Sequence, residues 1–125
     1  MAHRTAKPET RDEQIICQAE LAVVPLAIST WSSYLKSREV LLFIDNNPAK
    51  DALVHGVSSS AASSEMVRIT RLLCAELASA PWFDRVPSPS NLADDPSRAE
   101  ESKLLELGAS RISPVCPALL KFEIC

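Results

Sequence analysis

Glu39-Val40-Leu41-Leu42-Phe43-Ile44-Asp45-Asn46-Asn47-Pro48 is the stretch on which the fold turns. A short, continuous apolar run rich in strand formers reads as a β-strand buried on both faces. Asp45 ends the run. Asn47 then suits a helix N-cap and Pro48 the first helical position, where a missing N–H costs nothing. The helix so begun spans about 48–55 and stops at Gly56, a residue at ease in left-handed backbone. A strand handing over directly to a helix is the unit of an α/β layer.

Upstream, Asp12 is the expected cap of a first helix, with Glu13 favourable to its dipole. Ile15, Ala19, Ala22, Val23, Leu26, Ala27, Trp31 and Tyr34 follow helical spacing from there. Pro25 interrupts this run, and because the pattern resumes in phase it is expected to kink the helix rather than end it. Downstream, Ser58 to Ser64 reads as a small-residue linker. Met66, Ile69, Leu73, Leu77 and Ala80 restore helical spacing, with Pro81 closing that helix. Trp82 to Val86 forms a short strand, and Pro87 to Asn91 a loop. Asp95 caps a last helix that runs to about Leu107 and stops at Gly108.

The expected architecture is therefore α/β, with a few-stranded, largely parallel sheet packed by about four helices. Residues 1–11 are polar and aperiodic and read as a disordered lead-in. Residues 12–108 form the domain. Residues 109–125 are a tail, packed through Val115, Leu119, Leu120 and Phe122. Two strands make a poor sheet, so the fold is expected to be truncated, with strands missing ahead of residue 12.

Composition narrows the function. The net charge is −3, so bulk charge does not drive phosphate binding. Arg68, Arg71, Arg85, Lys50 and Arg98 form either a basic rim for phosphates or a solvated helix face. The four cysteines, Cys17, Cys74, Cys116 and Cys125, contain no CxxC pair, which argues against zinc. Cys17 and Cys74 read as small apolar core residues. No apolar run approaches the ~20 residues that span a bilayer. The expectation is a soluble intracellular chain, cytoplasmic or nuclear, with reduced thiols.

Three acids stand where chemistry is possible. Glu20 lies in an apolar helical stretch with Ile16, Val23, Val24 and Ala27, and an unpaired carboxylate there is costly if buried. Asp45 ends a strand at its carboxyl end, where open α/β sheets place ligands. Asp94 and Asp95 precede a helix, so one can cap it and leave the other free. Each also has an ordinary role: Glu20 in water at a domain edge, Asp45 in a turn, Asp94 and Asp95 as helix-start charges. Together they are hard oxygen donors suited to magnesium or manganese.

At these residues the chain resembles the ribonuclease H-like domain of reverse-transcriptase retroelements, over roughly residues 14–100. Gln18-Ala19-Glu20-Leu21-Ala22-Val23 is similar to the family's first helix, which carries an acidic ligand. Leu42-Phe43-Ile44-Asp45-Asn46-Asn47-Pro48-Ala49 is similar to its fourth strand, which ends in an aspartate ligand. Asn91-Leu92-Ala93-Asp94-Asp95-Pro96-Ser97-Arg98 resembles its closing motif, Asn-x-Ala-Asp-x-x-Ser-Arg, in which the aspartate after alanine is the ligand. The resemblance implies a truncated ribonuclease H-like fold with Glu20, Asp45 and Asp94 as catalytic metal ligands. It implies a two-metal magnesium or manganese site that hydrolyses the RNA strand of an RNA–DNA hybrid. The context would be a retroelement polyprotein.

Residues before Glu20 supply no match to the family's opening aspartate strand, and Arg85 to Asn91 no match to its loop histidine. The expectation is a remnant nuclease that is inactive alone. The alternatives are a non-catalytic fragment binding nucleic acid or protein, and a small helical interaction module.

Overall fold

The computed structural model describes residues 10–58, 60–91 and 101–118. The expected lead-in up to residue 9 and the acids Asp94 and Asp95 fall outside the described residues. Arg98, Leu119, Leu120 and Phe122 do so as well.

Helix α1 spans Arg11–Thr30. Its cap is Thr10 rather than Asp12. The Thr10 hydroxyl accepts from the Glu13 N–H while the Glu13 carboxylate accepts from the Thr10 N–H at 2.7 Å, a reciprocal capping box. Pro25 sits inside the helix without ending it, as expected. Trp31 ends it, and a single turn, α2 (Ser32–Leu35), follows.

Strand β1 covers Glu39–Ile44, the boundaries read from the sequence. Helix α3 (Asn47–His55) is capped by Asn46, one residue earlier than expected: its side-chain oxygen accepts from the Ala49 N–H at 2.9 Å. Gly56 ends α3 at φ +79°. Helix α4 (Ala61–Glu76) starts within the expected linker, because Ser60 caps it through the Ser63 N–H. Pro81 does not close α4. It lies in strand β2 (Ala80–Arg85), and α4 has already ended in a left-handed turn at Ala78. A 3₁₀ turn at Ser88–Ser90 and a short helix α5 (Ser102–Glu106) follow. Gly108 stops α5 in left-handed backbone, with the Ala109 N–H on the Leu104 carbonyl and the Gly108 N–H on the Leu105 carbonyl.

The two strands pair in parallel, Glu39 opposite Ala80 through Ile44 opposite Arg85. The result is an α/β arrangement in which α3 and α4 form the crossover. The entrance to the sheet is knitted by Ser37 N–H to Leu77 carbonyl (2.8 Å) and Ser79 hydroxyl to Leu35 carbonyl (2.5 Å).

The core joins Cys17, Leu21, Val24 and Ile28 of α1 to Ala49, Ala52 and Leu53 of α3 and Met66, Val67, Ile69 and Cys74 of α4. The apolar face expected for α1 is therefore displaced. Ile15, Val23, Trp31 and Tyr34 are exposed, and the packed face runs through residues 17, 21, 24 and 28. The helix is apolar on most sides, so spacing alone did not select the side that meets α4.

The expectation that β1 is buried on both faces also fails. Ile44 is buried and Val40 and Leu42 are half-buried, but Leu41 and Phe43 are 56% and 60% exposed. Among the described residues, helices cover one face of the sheet only. Cys17 and Cys74 are buried, as expected of core residues. Cys116 is disulfide-bonded, so the expectation of uniformly reduced thiols does not hold. No described helix is long and apolar enough to cross a membrane.

Candidate functional site

The carboxyl end of β1 brings two of the three sequence-selected acids into mutual influence. Asp45 follows Ile44, the buried last residue of the strand, and precedes the Asn46 cap. It is thus held between a paired strand and a capped helix, both rigid. Glu20 comes from the middle of α1, at the margin of its packed face: Leu21 and Val24 are buried, whereas Ile16 and Val23 are exposed. Both acids are half-buried. The Glu20 carboxyl is held above its ordinary range, first by burial and second by the negative charge of Asp45. Packing of α1 over the α3–α4 layer therefore sets two carboxylates, distant in sequence, within electrostatic reach.

The fit to a cation is partial. The donors are hard oxygens in a half-buried setting, which suits magnesium or manganese. Among the described residues, however, no group of three or more His, Cys, Asp or Glu side chains could hold a metal ion. Asp94, the third expected ligand, lies outside the described residues.

The basic residues near these elements are locally engaged. Arg68 forms an ion pair with Glu65 one turn away on α4. Lys50 sits 3.5 Å from Asp51. Arg71 donates to the Leu53 carbonyl at 3.1 Å, and its guanidinium packs against Gly56. It thereby satisfies an orphan carbonyl at the end of α3 and complements that helix's dipole. A solvated face and a helix cap describe these three better than a phosphate rim.

Arg71 also lines a cavity of about 360 Å³ with Leu53, Val54, Thr70, Pro81, Trp82 and Phe83. Sequence reasoning missed it. Its walls come from α3, α4 and β2, and no local motif marks them. It opens at the far end of α3 from Asp45, so it is separate from the carboxylates. The buried Cys74 thiol is pushed up by desolvation, against a smaller opposing effect of Arg71, and is unsuited to act as a nucleophile.

These features define a small α/β protein with an acid on a helix, Glu20, under the influence of an acid at a strand end, Asp45. No family model, curated protein or solved structure matches the chain.

Proposed function

We propose that this chain is a ribonuclease H-like domain of retroelement origin, which binds divalent metal and an RNA–DNA hybrid through Glu20, Asp45 and Asp94. What supports the reading is the placement of half-buried Glu20 on α1 close enough to Asp45, at the carboxyl end of β1, for that charge to add to the effect of burial. Two acids on a helix and at a parallel strand's end have no structural need to approach each other. Their repulsion is a cost that a bound cation would remove. In such a site the metal supplies Lewis acidity and an activated water for phosphodiester hydrolysis. The residues themselves would hold and orient the cation, and the hybrid would be gripped by shape and backbone rather than base identity.

The proposal is for metal and hybrid binding by this chain. Calorimetric titration with manganese tests it. Binding is expected for the wild type, and a loss of at least about tenfold in Glu20→Gln, Asp45→Asn and Asp94→Asn, a step of roughly 1.4 kcal/mol each. Affinity untouched by Glu20→Gln and Asp45→Asn would reject the shared site.

A further inference from the structure

We propose that β1 is the self-association edge of this protein, pairing antiparallel with β1 of a second copy into a four-stranded sheet. The two edges of the sheet differ. The Ala80 N–H donates to the Arg38 carbonyl at 3.0 Å and the Val86 N–H to the Ile44 carbonyl at 3.2 Å. Backbone groups alternate sides along a strand, so the even-numbered residues of β1 face β2. The N–H and C=O groups of Glu39, Leu41 and Phe43 are left along the other edge, where no described strand pairs with them.

The outer edge of β2 is blunted. Pro81 faces it without an N–H, and the exposed Arg85 follows. Proline and charge are the usual protections of an edge. The β1 edge has neither at its centre: Val40 to Ile44 is apolar throughout. What covers such an edge is another strand's backbone.

The strand matches itself in one register. With Leu41 opposite Leu41 of the second copy, Glu39 lies opposite Phe43 in both directions. All six of these groups, which no described strand pairs, then find partners, and the two-fold axis closes the assembly at two copies. Shifting the axis to Leu42 would set Glu39 directly against Asp45 of the second copy, a like-charge pair. In the favoured register the exposed side chains join. Leu41 neighbours Trp82 across the existing ladder, and both are exposed, as is Phe43. Pairing makes a continuous row of Trp82, Leu41, Leu41 and Trp82 on the uncovered face.

Sedimentation of the full chain over a concentration series, with cross-linking, tests this. The wild type is expected to reach twice the chain mass and no more. Leu41→Lys, at an exposed position, is expected to weaken the dimer at least tenfold while leaving the circular dichroism spectrum unchanged. Leu41→Cys under a mild oxidant is expected to give a disulfide-linked dimer, since hydrogen-bonded antiparallel partners sit about 5.5 Å apart at Cα. Leu42→Cys, off the axis, is expected to give little. A monomer at every concentration overturns the proposal, even one that captures an extended peptide along β1. Growth into polydisperse aggregates, or equal cross-linking of both cysteine variants, overturns it too.

Discussion

Ala78 adopts left-handed backbone at φ +51° where helices usually place glycine. The Ser79 N–H reaches the Cys74 carbonyl at 2.9 Å and the Ala78 N–H the Ala75 carbonyl at 3.1 Å, the double bond pattern of a Schellman end. A Cβ in this region costs about 1 kcal/mol. Ala78→Gly is therefore expected to stabilise the fold by up to about 1 kcal/mol, read as a higher thermal midpoint. Gly56→Ala should do the opposite. At φ +79° a Cβ is strained, and it would meet the Arg71 guanidinium at 3.0 Å, so a loss of about 1–2 kcal/mol is expected in the same melt. Glu20 carries the third prediction at this scale. Its folded pKa is raised above the unfolded value, so its favourable contribution is present below the unfolded value and lost as pH rises through the folded one. Glu20→Gln is expected to be more stable than wild type at neutral pH, by roughly 0.5 kcal/mol after solvent screening. The gap should close in melts below the ordinary glutamate range. A variant less stable at pH 7 would refute the burial and repulsion assigned to Glu20.

At the scale of elements, α1 separates what spacing can and cannot tell. Its existence and its tolerance of Pro25 were legible, because apolar residues recur in phase on either side of the proline; its end at Thr30, short of Trp31 and Tyr34, was not. Its buried face was not, because apolar side chains occupy most of the circumference and only contact with α4 chooses among them. Leu21 has no exposed surface, whereas Val23 is 59% exposed. Leu21→Ala is expected to cost about 2–5 kcal/mol and Val23→Ala well under 1 kcal/mol, compared by denaturant midpoints. Equal costs would mean that α1 packs on its other side. Caps show the same divide. Gly56 and Gly108 announced their helix ends by residue type. Ser60 was hidden in a serine run, and Thr10 was passed over for the acid two positions on. The Ala78 turn has no compositional mark at all. The bond from Arg71 to Leu53 joins residues on separate helices, so a sequence reading places Arg71 only on a charged surface.

At the scale of the whole molecule, the strand-to-helix handover at Asp45 and the alternation of elements were enough to give parallel strands in an α/β layer. The open outer face was not legible. Val40 to Ile44 spells the same apolar run whether one face is covered or both. The approach of Glu20 to Asp45 was likewise open from spacing, which left Glu20 free to point into water. It depends on how α1 docks over the α3–α4 layer, so the site exists only in the folded state. Any cation held there must then stabilise the fold by mass action, about 2.7 kcal/mol at a hundredfold excess over its dissociation constant. Protons compete for the same oxygens. Because Glu20 takes up its proton above the ordinary value of 4.5, the manganese-induced rise in thermal midpoint is expected to shrink on acidification before that value is reached. Asp45→Asn removes the charge that, after burial, helps to raise Glu20, and it removes one of the proposed ligands. At the same manganese concentration that variant should show a clearly smaller rise at neutral pH. A rise in the wild type that persists undiminished at pH 4.5, or one that is as large in Asp45→Asn as in the wild type, would place the cation elsewhere on the molecule.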